Sequence, residues 1–359
     1  MKMEEIYDVI IVGGALAGSR TAGLIAKNGR KVLLIEEHEN IGVPCKCTGL
    51  VSWRTPEILK NLPKKLIVNK LDTGKFNAPD GTSFVLKSKK VAYVLDRTGL
   101  DKFLFDQAIK SGVEVRTEHF EDFQYVDDNV EVRTNKGSHK TKILIGADGA
   151  NSIVAEKANL EMPKNIFVGL QTTAAGNFQQ HAELWFGRNT APNFFAWVVP
   201  ENNELARIGV STPSSPKPYY ERFLEARLGH NGLKPDVAGI IRYGIMKDTV
   251  NDRVMLVGDA ACQVKPFSGG GITYGLIAAQ ICADAVEKAF EENRFDYDFF
   301  KKHYDTEWKN KLLPGIRKGL LLRTVLYNLP DFHVNLLFKG IKLFGNNILS
   351  NFDFDLLSG

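Results

Sequence analysis

The chain has little that would tie it to nucleic acid, to a metal or to an oxidising compartment. Only four of its 359 residues are cysteine. Their spacing has no second pair for a zinc site, and Cys45-x-Cys47 is too tight for a relaxed disulfide. Free thiols of this kind suit a reducing cytosol. The seven histidines are scattered and form no metal-binding cluster. No apolar run approaches the roughly 20 residues that a membrane-spanning helix needs. A net charge of +4 is too mild to suggest nucleic acid, although it suits contact with anionic lipid headgroups. Repeats and low-complexity tracts are missing as well. The first apolar run follows an acidic segment, MKMEEIYD, and reads as a first strand rather than a signal peptide. The bulk is ordinary for a globular protein, with 44% hydrophobic and 25% charged residues and enough length for a large core.

What is present is a set of glycine-rich turns at strand ends. Residues 252–276, DRVMLVGDAACQVKPFSGGGITYGL, run from a short apolar strand into Gly258-Asp259. Gly269, Gly270 and Gly271 then open a small-residue helix beginning near Ile272. Asp259 can accept hydrogen bonds from polyol hydroxyls. The helix start offers unpaired N–H groups and the positive end of the helix dipole. A tight turn before a core helix would look the same in isolation.

Two partners elsewhere change the balance. Residues 7–12 (YDVIIV) form a nearly uninterrupted apolar strand, followed by Gly13-Gly14-Ala15-Leu16-Ala17-Gly18, a helix, and a second strand (31–35) that ends at Glu36. Strand, glycine turn, helix, strand and acid make the dinucleotide-binding fingerprint in its required context. Gly13 permits the tight turn, Gly18 the close helix–strand packing, and Glu36 can hold a ribose hydroxyl. Ala15 stands where the pattern has its second glycine, which slightly narrows the approach of a pyrophosphate. The other partner is KILIGADGANS (142–152), where a strand ends in Gly146-Ala147-Asp148-Gly149 and a helix starts at Asn151 or Ser152.

In this order the three elements resemble the three FAD motifs of the family that groups aromatic hydroxylases, flavin halogenases and geranylgeranyl reductases. The resemblance implies an α/β fold: a Rossmann-like FAD-binding domain (1–160 and 245–295), an inserted antiparallel-sheet substrate domain (161–244 with part of 50–95, an α+β part) and a helical C-terminal region (296–359). It implies FAD as the cofactor, contacted by Gly13, Gly14, Ala15, Ala17, Gly18, Glu36, Glu37, Cys47, Arg97, Asp148, Gly149, Gly258, Asp259, Gly269, Gly270, Gly271 and Ile272. Arg97 follows a strand predicted over 91–95, and Thr98 with Asp101 forms a capping-box-like helix start. Residues 167–173, 182–186, 194–199 and 205–210 read as antiparallel strands of the substrate domain.

Two further stretches resemble the geranylgeranyl reductases more narrowly. PNFFAWVVP (192–200) is similar to their P-x-x-Y-x-W-x-F-P motif, with Pro192, Trp197 and Pro200 matching and Phe195 in place of tyrosine. Any aromatic-packed strand could show part of this. GVPCKCTGLVS (42–52) is similar to their cysteine loop, with Cys47 in the matching position. A thiol there could donate a proton or gate the site; Cys282 reads as simple core. Hydroxylases of the family usually have histidine where Cys262 stands and asparagine where Thr273 stands, so this chain resembles the archaeal-type reductases. Pro266 and Lys265 would then shape the pocket beside the flavin.

The activity implied is hydride and proton transfer to isolated double bonds of an isoprenoid lipid, with an electron donor (NAD(P)H, ferredoxin or another reductant) that the sequence does not name. The alternatives are a flavin monooxygenase or halogenase acting on an apolar substrate, and a flavoprotein that binds lipid without turnover. The basic, amphipathic stretch from Glu307 onward either packs over the catalytic domain or rests on a membrane. A cytoplasmic protein, peripheral at the inner face of the cell membrane, is the matching location.

Overall fold

The computed structural model describes residues 6–45, 47–344 and 355; the acidic N-terminal segment and the end of the C-terminal region lie outside them. The strand Ile6–Val12 pairs in parallel with Val32–Glu36 on one side and Gly137–Gly146 on the other. Glu114–Thr117 and Val254–Leu256 extend this parallel sheet, with Val250–Asn251 at one edge. Alternate residues of the first strand enter two different cores. Val9 and Ile11 meet the helices Leu16–Lys27 and Ile272–Glu291, while Tyr7, Ile10 and Val12 meet the hairpin of Phe120–Val126 and Asn129–Thr134. Burial on both faces is why the run has no polar alternation.

Helix Leu16–Lys27 lies against both Arg97–Lys110 and Ile272–Glu291. Small residues permit that approach: a Cβ on Gly23 would lie 3.3 Å from Ala108 Cα. Helix Arg97–Lys110 starts differently from the sequence reading. Its cap is Asp96, whose carboxylate accepts from Gly99 N at 2.9 Å, and Asp101 turns to Arg97 instead of closing a box with Thr98. An aspartate at the cap satisfies an orphan N–H and places its charge at the positive helix end.

A second sheet orders Val237–Arg242, Ile166–Ala175, Leu205–Thr212, Ala196–Pro200, Ala182–Trp185, Ile67–Asn77, Ser83–Leu95 and Leu50–Val51. All its pairings are antiparallel except Ala182–Trp185 against Ile67–Asn77. The strand predicted over 91–95 is the end of the 13-residue Ser83–Leu95, whose polar KSKK centre hides the alternation of Phe84 and Leu86. A core rich in aromatics packs against this sheet. In it Phe194 stacks on Phe195 at 4.3 Å and Phe167 on Tyr243 at 4.5 Å.

The chain then closes over both sheets. Asp305, fully buried, accepts from Thr249 N and Oγ1 and from Lys301 and Lys309, and so anchors the long helix Thr306–Asn328. Tyr327 of that helix, with Val334 and Phe338 of Asp331–Phe344, enters the aromatic core. No helix among the described residues is long and apolar enough to cross a membrane.

Candidate active site

The three glycine elements meet at one end of the parallel sheet. Gly13 takes a φ of +102°, and a Cβ there would overlap the Ala147 carbonyl and lie 3.0 Å from Asp148 Cα. A Cβ on Gly18 would strike the carbonyl oxygen of Gly13. Gly258, at φ +71°, leaves only 2.7 Å for a Cβ before Ala17, and a Cβ on Gly271 would lie 2.7 Å from Asp259 Oδ1. Gly13 and Gly258 therefore permit close approaches between elements far apart in sequence, while Gly18 tightens the first turn and Gly271 makes room for the Asp259 carboxylate. Gln263 holds the third element: its Oε1 accepts from Gly258 N at 2.7 Å, and its Nε2 donates to Tyr304.

The acids divide in role. Glu36 accepts from Gly14 N at 2.6 Å and pairs with His38, so it closes the first turn. Glu37 is exposed and bonds to His119 at 2.9 Å. Asp148 turns into the protein and accepts from Ser152 Oγ at 2.6 Å and Val154 N at 3.0 Å, serving the start of helix Ile153–Lys157. Beside it, Gly149 has a φ of +84° and open space where a Cβ would be. Burial pushes the Asp148 carboxyl up, with those hydrogen bonds opposing. Asp259 is also pushed up by burial, and the Arg97 charge works against it.

Arg97 sits between the cofactor elements and the thiol loop. Its Nη2 donates to both Asp101 oxygens at 2.8 and 2.7 Å, while its buried Nε has no partner among the described residues. A cradle that glycines keep open, Asp259 at its edge and an orphaned guanidinium nitrogen fit a cofactor with hydroxyls and phosphates. Helix Ile272–Glu291 adds N–H groups without a side-chain cap at its Gly271 start, and Ile272 joins the core around Leu276. No cluster of metal-ligating side chains occurs among the described residues.

Cys47 accepts from Gly49 N at 3.3 Å, and Cys45 Sγ points to the Cys47 carbonyl at 3.5 Å. Both are free thiols. Burial raises the Cys47 pKa, and Arg97 pulls in the opposite direction, so the thiol is neutral near pH 7. The loop is clamped to the second sheet. Gln171, buried in its strand, accepts from Thr48 Oγ1 at 2.7 Å and from Trp197 Nε1 at 3.0 Å through the same oxygen. Arg207 donates from Nη1 to the carbonyls of Thr48 and Leu95, and its Nε meets Glu201 at 2.7 Å. Trp197 lies on Gly209, where a Cβ would come within 2.6 Å of Cε2.

Of the remaining sequence candidates, Phe195 is buried in the aromatic core, Pro200 ends the Trp197 strand and Pro266 is buried; Pro192 is half-buried. Lys265 covers Gly270 and pairs with Asp355 at 2.8 Å, which also meets Arg54 at 3.3 Å and Tyr274 Oη at 2.7 Å. Gln171, Arg207 and Asp355 escaped the sequence reading. The only trace of the first two is a lone polar residue inside an apolar strand pattern.

A family model described as an FAD binding domain matches residues 6–281. Among curated proteins, the chain is 30% identical to digeranylgeranylglycerophospholipid reductase 2 of Methanothermobacter thermautotrophicus, over 94% of this chain and 92% of that one. It is 29% identical to the digeranylgeranylglycerophospholipid reductase of Methanocaldococcus jannaschii, over 95% and 92%. Among solved structures, a geranylgeranyl bacteriochlorophyll reductase-like protein of Thermoplasma acidophilum superposes with a TM-score of 0.85 at 24% identity, covering 99% of this chain and 94% of that one. Halogenase PltM in complex with phloroglucinol and FAD shares the fold, with a TM-score of 0.67 at 17% identity over 98% and 87%.

Proposed function

The chain belongs to the FAD-binding domain family, and from that premise we propose that it saturates isolated C=C bonds of geranylgeranyl chains, in membrane ether lipids or their precursors. The observation that carries this reading is a neutral thiol held between the Arg97 junction and the aromatic-lined sheet. Full-length similarity to reductases of digeranylgeranylglycerophospholipids supports it. Bound FAD, reduced by an external two-electron donor, supplies hydride.

The residues of the chain do the rest. An isolated trisubstituted alkene has no carbonyl to polarise it, so a proton must reach one carbon as hydride reaches the other, with tertiary cation character between them. Cys47 is the proton source: S–H breaks, C–H forms, and the Arg97 charge offsets the thiolate until it is reprotonated from water. Gln171 and Arg207 orient the loop, and the Phe195–Trp197 face keeps water from the cationic carbon. The first-turn N–H groups of the helix that starts at Ile272, which no side chain caps, favour negative charge at the cofactor by roughly 0.3–2 kcal/mol. Each CH₂ of the lipid chain adds about 0.8 kcal/mol of gross burial, so length offsets the lack of polar handles.

The test is anaerobic. The holoprotein is reduced with dithionite and mixed with a digeranylgeranylglycerophospholipid, with saturation followed by mass spectrometry. Reoxidation of the flavin with two hydrogens gained per double bond is expected. A flavin that stays reduced over an unchanged lipid refutes the reading. Oxygen-dependent hydroxylation or halogenation of an apolar substrate would favour the alternative chemistry of the same fold.

A further inference from the structure

The positive charge of this protein is concentrated in its last helices. The helices Thr306–Asn328 and Asp331–Phe344 carry seven basic residues and two acids, a net +5 in a chain whose total is +4. All other residues together therefore sum to −1. The same segment holds much of the exposed apolar surface: Leu321, Val325, Phe332, Leu336, Leu337 and Leu343 are between 41% and 73% exposed.

These residues are not scattered. Leu321 and Val325 are four apart on helix Thr306–Asn328, with exposed Arg317 and Lys318 one turn before them. On helix Asp331–Phe344, Phe332, Leu336 and Leu343 follow one line at spacings of four and seven, flanked by exposed Lys342 and by Lys339, whose Nζ pairs with Asp80 at 3.0 Å. The opposite faces of both helices, through Tyr327, Val334 and Phe338, enter the same aromatic core. One pair of helices thus roofs that core with one side and presents apolar residues edged by cations with the other.

We infer that the outward faces of these two helices are a docking surface for an anionic lipid bilayer. An apolar row edged with lysine and arginine stems matches the boundary between acyl chains and acidic headgroups. A second copy of the chain is disfavoured as the occupant, because it would oppose two surfaces of the same strong charge. Docked in this way, the aromatic core faces the bilayer through the two helices alone. The inference deepens the lipid-reductase reading but needs no turnover for its test.

The FAD-loaded protein is sedimented with vesicles of phosphatidylcholine, with and without a third of phosphatidylglycerol. Binding to the acidic vesicles that weakens with added salt is expected. Phe332→Ser with Leu336→Ser should lower the partition coefficient at least tenfold. Lys318→Gln with Lys342→Gln should lower it roughly tenfold to thirtyfold on acidic vesicles only. Flavin content and Tm of each variant report on folding. Wild-type protein that ignores acidic vesicles overturns the inference, as does binding unchanged in both variants. A concentration-dependent dimer abolished by the serine pair, without vesicle binding, overturns it in favour of a second copy. Vesicle binding by a protein that reduces no lipid would sink the reductase reading alone.

Discussion

Gln171 is the residue that ties the thiol loop to the second sheet, and replacing it by leucine tests the site at its hinge. One amide oxygen accepts from Thr48 Oγ1 and Trp197 Nε1, at 2.7 and 3.0 Å. Leucine fills similar volume but leaves both donors without their acceptor. Each buried donor so stranded costs about 1–2 kcal/mol where neighbours are only half-buried, so the pair costs about 2–4 kcal/mol. For a chain of this length, at roughly 1–2 °C per kcal/mol, Tm should fall by roughly 2–8 °C. Function should suffer more, because release of Thr48 frees the loop that aims Cys47, and a displacement of about 1 Å can cost on the order of 100-fold in rate. Gln171→Glu keeps an acceptor oxygen and should recover most of the single-turnover rate that Gln171→Leu loses. Alkylation of Cys47 by N-ethylmaleimide supplies a readout independent of turnover, and it should quicken in the leucine variant alone. Equal behaviour of the two variants, or an unchanged alkylation rate in both, would refute the clamp.

Asp355 holds Lys265 and Arg54 from a fully buried position. Asp355→Asn should therefore cost about 2–3 kcal/mol at pH 7 in a denaturant melt. Burial works to raise the Asp355 pKa, but Lys265, Ser52 and Arg54 hold it below the usual carboxylate range. Its contribution is then present above the ordinary carboxylate pKa and lost as pH falls through the depressed folded value, so the gap between wild type and variant should close in acid. Gly209→Ala should push Trp197 off its shelf and cost about 1–3 kcal/mol, with lipid turnover falling alongside Tm; an unchanged Tm would show that the shelf yields freely. Asp101→Asn removes the carboxylate that neutralises Arg97, and Asp101 itself helps to raise the Cys47 pKa. The pH at which Cys47 alkylation accelerates should therefore move down in this variant, and a move upward would contradict the assignment of Arg97 as its neighbouring charge.

The cofactor end was legible because its constraints are local. A Gly13 turn, a Gly18 contact and a strand-end acid are dictated within a few residues, and the apolar run after Asp8 announces burial on both faces. The second sheet was harder to read. Its one parallel pairing joins residues 74–77 to 182–185, and nothing in either segment encodes a partner about a hundred residues away. The same limit hid Arg207. A single arginine in LARIGV reads as an exposed charge, and only the fold brings the carbonyls of Thr48 and Leu95 to it. Asp148 shows a subtler limit. Its motif pointed to a cofactor, and within the chain both its oxygens serve the next helix. The sequence could not separate these roles because a helix cap and a ligand contact ask the same thing of a carboxylate.

For the proposed reaction, the preference for Cys47 as proton donor rests on comparing the buried thiols rather than on the motif. Cys262 lies fully within the core behind the Asp259 strand, and burial with the nearby Asp259 charge pushes its pKa up to about 12. Cys282 is enclosed in the middle of its helix and raised by burial further still. Both are enclosed, and although the Arg242 charge pulls the Cys262 pKa down, burial and the Asp259 charge outweigh it. Cys47 differs in exposure. It is only half-buried, and Arg97 opposes the desolvation that keeps it neutral. An acid that must give a proton to a carbon and take it back from water needs that intermediate setting: neutral before the transfer, and beside a positive charge after it. Burial holds the Cys47 pKa up, Arg97 pulls against it and Asp101 adds to the upward side, so the arginine–aspartate pair adjusts an acidity that burial dominates.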